Sequence, residues 1–399
     1  MTDFLASLVF LALLGTAAAF ARLGERIRIP SAVTLVACGT ALGTIAHVRP
    51  PFAFGPTLLF VLLPPLVFEA AWNIDIAAMR AGAVRIVLLA FPGTLLTAMA
   101  VAFALVATHA APFAIALIFG AIVSATDPVA VVAIFRRTAV PTHVRTIAEA
   151  ESLANDGVAV VLYGIAVSLA GGAAFSIGGA LATAAAAIVA GIGLGALSAI
   201  PVIALRTRVR FAPLSIAMTV ALAYASYQVS LLAHVSGIFA TATAALAVRL
   251  AEPVVPLATQ TQGPASVRAA RIDLDAFWES FAYIANATAF FAAGLLIDVP
   301  RAFHEIVFAV VGIVALLATR AVLAYVAAAD LASRAAIFLA GMRGGLPLAL
   351  ALALPESLPG RAIVVDGVFA TVLATLVLQG ILLEPILRRI SGEGSASLA

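Results

Sequence analysis

Apolar stretches long enough to cross a bilayer recur along the whole chain, and they decide what it can fold into. A helical span takes about 20 apolar residues. The sequence offers one run near its start and further stretches at about 31–47, 54–72, 83–107, 112–134, 146–169, 176–204, 213–232, 235–248, 276–296, 303–327, 334–354 and 362–386. About thirteen such spans use roughly 260 residues, and too little is left for a globular domain outside the membrane. Near His234 the pattern admits two short spans or one broken helix. Hydrophobic residues make up 64% of the chain and charged residues 10%, against roughly 25% charged in a soluble domain. No aqueous fold buries so much apolar surface, which excludes a soluble α/β enzyme. The expected fold class is an all-α polytopic membrane protein.

The basic residues give the topology. All 22 of them are arginine, with no lysine anywhere. That excludes a Walker A phosphate loop and a lysine Schiff base. The first run lacks the basic start of a signal peptide, and Arg22, Arg26 and Arg28 follow it. A retained first span with its N-terminus outside then places 17 arginines in inside segments and only Arg49, Arg301 and Arg361 outside, by count along the chain. Arg320 and Arg343 fall within spans. The C-terminus is expected inside. Arginines flank spans instead of clustering, so the basic balance does not indicate nucleic acid. Cys38 stands alone and forms no internal disulfide.

Polar residues inside the spans are few, and each is costly in lipid. The third span holds Pro64, Pro65 and Glu69. The fifth holds Ser124, Thr126, Asp127 and Pro128. The sixth holds Glu149, Glu151, Ser152, Asn155 and Asp156. The twelfth holds Met342, Arg343, Gly344, Gly345 and Pro347. Pro128 has no N–H and disfavours helix at Asp127, so the fifth span should break there, with Asp127 capping the second half. In the twelfth span Arg343 is expected in the last turn of a first half-helix, ended by Gly344. An anion at a half-helix start and a cation at a half-helix end both complement the helix dipole.

The two broken spans are seven apart. Spans one to six (about 1–170) and eight to thirteen (about 213–390) then read as inverted six-helix repeats around a linking helix at about 176–204. Inverted repeats with broken helices near the midplane describe secondary transporters. In span six, Ser152 and Asp156 share one stripe, with Glu151 and Asn155 on the next. With Asp127 and Thr126 opposite, they make an all-oxygen cage for a small hard cation. Two buried carboxylates repel, so protons and a cation compete for the same oxygens; with alternating access this gives antiport. Arg320 cannot discharge in lipid and is expected to pair with Glu151. Glu69 reads equally as a solvated funnel residue or a residue behind the site, and Glu149 as a funnel or helix-face residue.

Other motifs fall away. Gly191, Gly193 and Gly195 imitate a dinucleotide fingerprint but lie in an apolar span with no strand before them, so close helix packing is expected. His304-Glu305 begins a zinc-protease motif whose second histidine is missing, because position 308 is Phe.

At Asn155-Asp156 the sequence resembles the monovalent cation:proton antiporters of the NhaP/NHE type. Matching segments are Phe60–Ala70, Ser124–Ala130, Glu149–Gly157, Gly341–Gly345 and Leu378–Gly380, in order along essentially the whole chain. The resemblance implies thirteen helices, a homodimer, and a core domain moving against a dimerisation domain. It makes Asp156 the main ion and proton carrier, with Asp127, Thr126 and Ser152 completing coordination. It has Glu151 bridging to Arg320 with support from Asn155, and Arg343 at the broken helix. The short tail after Arg389 departs from the animal members, which carry a large regulatory region. The expected function is electroneutral Na⁺(Li⁺)/H⁺ antiport across a bacterial-type inner membrane, with no cofactor and no enzymatic chemistry. K⁺/H⁺ antiport is the nearest alternative. A gated cation channel and an intramembrane protease are the rivals of other classes.

Overall fold

The computed structural model describes residues 11–12, 14–19, 21–22, 31–45, 56–127, 135, 142–172, 176–206, 211–251, 264–296 and 306–390. The helices are α1 (Ser31–Ile45), α2 (Pro56–Asn73), α3 (Ile76–Ala81), α4 (Ala83–Leu88), α5 (Thr94–Ala107), α6 (Phe113–Ser124), α7 (Thr142–Ala170) and α8 (Ile177–Arg206), followed by α9 (Ala212–Leu232), α10 (Gly237–Ala251), α11 (Pro264–Leu296), α12 (Ile306–Ala327), α13 (Leu331–Leu339), α14 (Gly345–Leu352) and α15 (Arg361–Ile390). No strand occurs among the described residues. The only backbone solutions in lipid are helices and closed barrels, and the apolar runs take the first. Among the described residues, six helices are long and apolar enough to cross a membrane, and four shorter apolar helices accompany them.

The stretch expected at about 83–107 is helical over those bounds in spite of an internal proline. α4 and α5 form one rod, Ala83–Ala107, joined by a π-turn at Leu89–Gly93 around Pro92. A proline cannot donate to the helical ladder, and one wide turn absorbs the missing bond. α11 starts at Pro264, well before the apolar window at 276, because helical hydrogen bonding does not stop where apolarity does. Near His234 the chain makes a hairpin. The turn runs through His234 at φ 54, and Ser226 meets Thr241 across it, hydroxyl to hydroxyl at 3.3 Å. The pattern at this point therefore encodes two helices.

The chain divides into two compact units. The second comprises Thr57–Ile74 and Ser176–Asn286. Its centre is aromatic: Phe68 stacks on Trp278 at 4.2 Å between ring centroids and on Trp72 at 5.9 Å. Buried indole N–H groups need partners. Trp72 Nε1 donates to Asp275 Oδ1 at 2.7 Å, and Trp278 Nε1 to Thr219 Oγ1 at 3.3 Å. The three spaced glycines of α8 serve packing here. A Cβ on Gly191 or Gly195 would strike the backbone of Ser236 or of Ala240 at the start of α10, whereas Gly193 faces open space. Spacing of four with small residues lets two helix backbones touch.

The first unit comprises the residues to Pro56, Asp75–Phe175 and Ala287–Ala399. It contains α7, both interrupted spans and α15. From Ile115 to Ser124 every residue of α6 is buried, and so is all of α14.

Candidate functional site

The site grows out of the end of α6. The helix stops at Ser124, and Ala125 turns extended at φ −63°, ψ 140°. Residues 125–127 are unwound. Pro128, and with it the expected half-helix capped by Asp127, lies outside the described residues. An unwound backbone in lipid must find other partners. α7 supplies them to Thr126. Asn155 works in both directions: its Oδ1 accepts from Thr126 N at 3.2 Å, and its Nδ2 donates to Thr126 Oγ1 at 2.7 Å. The Ser152 hydroxyl donates to the Thr126 carbonyl. Thr126 is thus clamped through its N–H, its carbonyl and its hydroxyl.

The second interruption lies in the expected twelfth span, but it begins earlier than the sequence suggested. α13 ends at Leu339, and residues 341–344 are unwound before α14 starts at Gly345. Arg343 therefore sits inside the break, not in the last turn of a half-helix, and Gly344 precedes α14 instead of ending α13. The cause is competition for the terminal carbonyls. Arg320 Nε donates to Ile337 O at 3.0 Å, Gln379 Nε2 to Phe338 O at 3.3 Å, and the Arg343 guanidinium to Gly341 O. These side chains take over the role of the next helical turn. Arg343 Nε also donates to Val123 O at 2.6 Å, so one guanidinium serves carbonyls at both breaks. Cations belong at the negative ends of helix dipoles.

The two breaks cross. Asp127 N donates to Met342 O at 2.8 Å. The Asp127 carboxylate lies against Gly344, where any Cβ would overlap it. Only glycine leaves that space.

Glu151 and Arg320 form a bidentate pair at 2.7 and 3.0 Å, with both side chains at 5% exposure or less. Asn155 Nδ2 also donates to Glu151 Oε1 at 3.1 Å. A continuous chain thus runs Arg320–Glu151–Asn155–Thr126. Asp156 stands apart from it. Its Oδ1 is buried and accepts no hydrogen bond among the described residues. Asp127, Glu151 and Arg343 are the charges that act on it. The structure thus brings together Thr126, Asp127, Glu151, Ser152, Asn155, Asp156, Arg320 and Arg343. Glu69 belongs to the second unit, where it accepts from Asn73 Nδ2 at 2.7 Å. Glu149 pairs along its own helix with Arg145 at 3.6 Å. Among the described residues no three His, Cys, Asp or Glu side chains gather as a metal centre would require. What is present is a hard-oxygen set of two carboxylates and two hydroxyls.

Of the side of the site that α15 provides, the sequence reading singles out only Gln379, within the matching segment Leu378–Gly380. Thr371, Thr375 and Gln379 are all buried. Thr375 Oγ1 accepts from Arg343 N at 3.2 Å. Hydroxyls in helices satisfy themselves on their own backbone, as Thr371 does on Gly367 O, so residue type gives no signal. The spacing of four from 371 to 379 is the signal that could have found them.

Residues 9–389 match the family described as sodium/hydrogen exchanger, transmembrane. The Na⁺/H⁺ antiporter NhaS2 of Synechocystis sp. is 31% identical over 414 residues, covering 100% of this chain and 73% of that protein. The Na⁺/H⁺ antiporter ApNhaP of Aphanothece halophytica is 29% identical over 374 residues, 91% of this chain and 70% of that one. The Na⁺/H⁺ antiporter NhaH of Halobacillus aidingensis is 29% identical over 420 residues, 97% of this chain and 98% of that one. In fold, the chain is similar to the sodium proton antiporter MjNhaP1 of Methanocaldococcus jannaschii, with a TM-score of 0.81 at 19% identity, over 98% of this chain and 100% of that one. An all-helical membrane fold with two interrupted spans crossing through Asp127 and Met342, matched over nearly its full length, makes this chain a member of the transmembrane sodium/hydrogen exchanger family.

Proposed function

We propose that the protein exchanges Na⁺ or Li⁺ for H⁺ by alternating access, with cation and proton competing for Asp156. The observation that carries the reading is the buried Oδ1 of Asp156, which no described group satisfies. Asp156 is half-buried, and a buried carboxylate oxygen with no protein partner needs one that comes and goes. Asp127, Thr126 and Ser152 supply further oxygens. Glu151, Asn155, Arg320 and Arg343 hold the crossing in shape and neutralise charge, and Glu69 serves either the approach or the support behind the site. The sodium/proton names of the relatives support sodium over the potassium alternative. No cofactor and no covalent chemistry enter. The chain is read as thirteen spans in two inverted repeats, working as a homodimer in a bacterial-type inner membrane with the N-terminus outside and the C-terminus cytoplasmic.

Exchange is electroneutral on this account. Beside Asp156 stands Asn155, an uncharged amide, and the chain has no lysine. One carrier acid releases one proton for each Na⁺ it accepts, so the protonated and loaded forms carry equal charge. A net charge moved per cycle would respond to voltage at about 2.3 kcal/mol per 100 mV. Na⁺-driven proton flux in proteoliposomes, clamped at different potentials with valinomycin and K⁺, is expected to be independent of voltage. A reproducible shift in rate or end-point with potential would refute one-for-one exchange, and absence of Na⁺-dependent flux would refute the function.

A further inference from the structure

α7 carries a second ion pair, Arg145–Glu149, and nothing about the pair is explained by stability. Its geometry is poor: Arg145 Nε lies 3.6 Å from Glu149 Oε1, too far for a hydrogen bond. That Nε is buried and has no hydrogen-bond partner among the described residues. The order is also unfavourable. Arg145 lies near the N-terminal end of α7, where the helix dipole repels cations, and an acid following its base by four residues is the weaker arrangement. The contrast with Glu151–Arg320, bidentate and buried on the same helix, is direct.

The position is what distinguishes the pair. At about 100° per residue, Arg145, Glu149, Ser152 and Asp156 fall within roughly 60° of one another around α7. At about 1.5 Å per residue, they lie about 16, 10 and 6 Å below Asp156. Exposure falls from 34% for the Arg145 side chain to 19% for that of Glu149 and 2% for Ser152, and Asp156 beyond it is half-buried. A charged, partly open stripe therefore leads along one helix face to the unsatisfied acid.

We propose that Glu149 is an outlying contact for the monovalent cation on its cytoplasmic approach to Asp156. Arg145 is the resident counter-ion the cation displaces, so the pair sets the apparent affinity for cytoplasmic Na⁺ without belonging to the ion site. This rests on the exchange reading above. A positioning role for Arg145 requires that it act through Glu149, and the test is built on that dependence.

Na⁺ is added to everted membrane vesicles, whose outer face is the cytoplasmic one, and proton flux is followed with a pH-sensitive dye. Arg145→Gln should lower the half-maximal Na⁺ concentration by about three- to fivefold, the size expected for one screened unit charge at close range. Glu149→Gln should raise it by a similar factor, and Glu149→Asp should stay within about twofold of the parent. The double variant Arg145→Gln, Glu149→Gln should match Glu149→Gln alone, and maximal rates per folded protein should be unchanged throughout. In right-side-out vesicles the half-maximal external Na⁺ should not move. If the Arg145→Gln shift persists undiminished without Glu149, or if neither single variant moves the half-maximal Na⁺ while the parent exchanges normally, the proposal is overturned. If the parent itself shows no exchange, the exchange reading fails and takes this inference with it.

Discussion

Asp156→Asn is expected to abolish exchange while the protein still folds. The substitution keeps the shape of the side chain and removes its charge and its exchangeable proton. Asp156 caps no helix end, since α7 runs from Thr142 to Ala170 around it. Its Oδ1 supports no hydrogen bond among the described residues. The folded state therefore loses little, and relief of a buried charge next to Asp127 and Glu151 even favours it. The exchange cycle would lose the group proposed to trade a proton for a cation. Na⁺-dependent proton flux should fall to the background of empty liposomes, with the elution volume in detergent unchanged. Flux near the parent level at saturating Na⁺ would remove Asp156 from the mechanism.

Glu151→Gln is expected to act in the opposite way, on the fold before the ion. Glu151 neutralises Arg320 through two hydrogen bonds and accepts a third from Asn155. Arg320 in turn holds Ile337 O at the end of α13. Removing the carboxylate charge leaves a guanidinium buried beside an amide. Breaking a buried pair in this way costs about 3–5 kcal/mol. The double change Glu151→Gln with Arg320→Gln should recover part of that loss, because no uncompensated charge remains. Unfolding of the purified protein in mixed detergent, read by tryptophan fluorescence, gives the four corners of the cycle. Additive losses at both positions would show that the pair is not coupled.

The sequence spoke clearly wherever one residue had few options in lipid. Arg320 had to find an acid, and Glu151 is where it found one. Asn155 and Ser152 were legible as one polar side of α7, because helical spacing fixes which side chains stand together. The role they take was less legible. Both are occupied in clamping the unwound Thr126, a task that depends on where the break in α6 falls in space. The second break was misplaced by a few residues for a similar reason. Gly344 looked like a helix terminator from its type, but the helix end is set by Arg320, Gln379 and Arg343 competing for carbonyls, and two of those three lie on other helices. Local signals cannot register such competition. Thr371 and Thr375 went unseen because their hydroxyls bond their own helix, and Gln379 was marked only by the matching segment, not by its bond to Phe338 O.

The most direct test of competition at Asp156 is the Na⁺ dependence of the exchange rate measured at a series of pH values, equal on both sides of the membrane. If proton and cation share one carboxylate, lowering the pH raises the half-maximal Na⁺ concentration. Saturating Na⁺ then restores the same maximal rate, because enough cation displaces the proton. On the acidic side of the carrier's titration, each pH unit should multiply the half-maximal Na⁺ by about ten, the slope of a single shared proton site. A maximal rate that collapses with falling pH at an unchanged half-maximal Na⁺ would mean that the proton acts elsewhere, and would contradict the shared site.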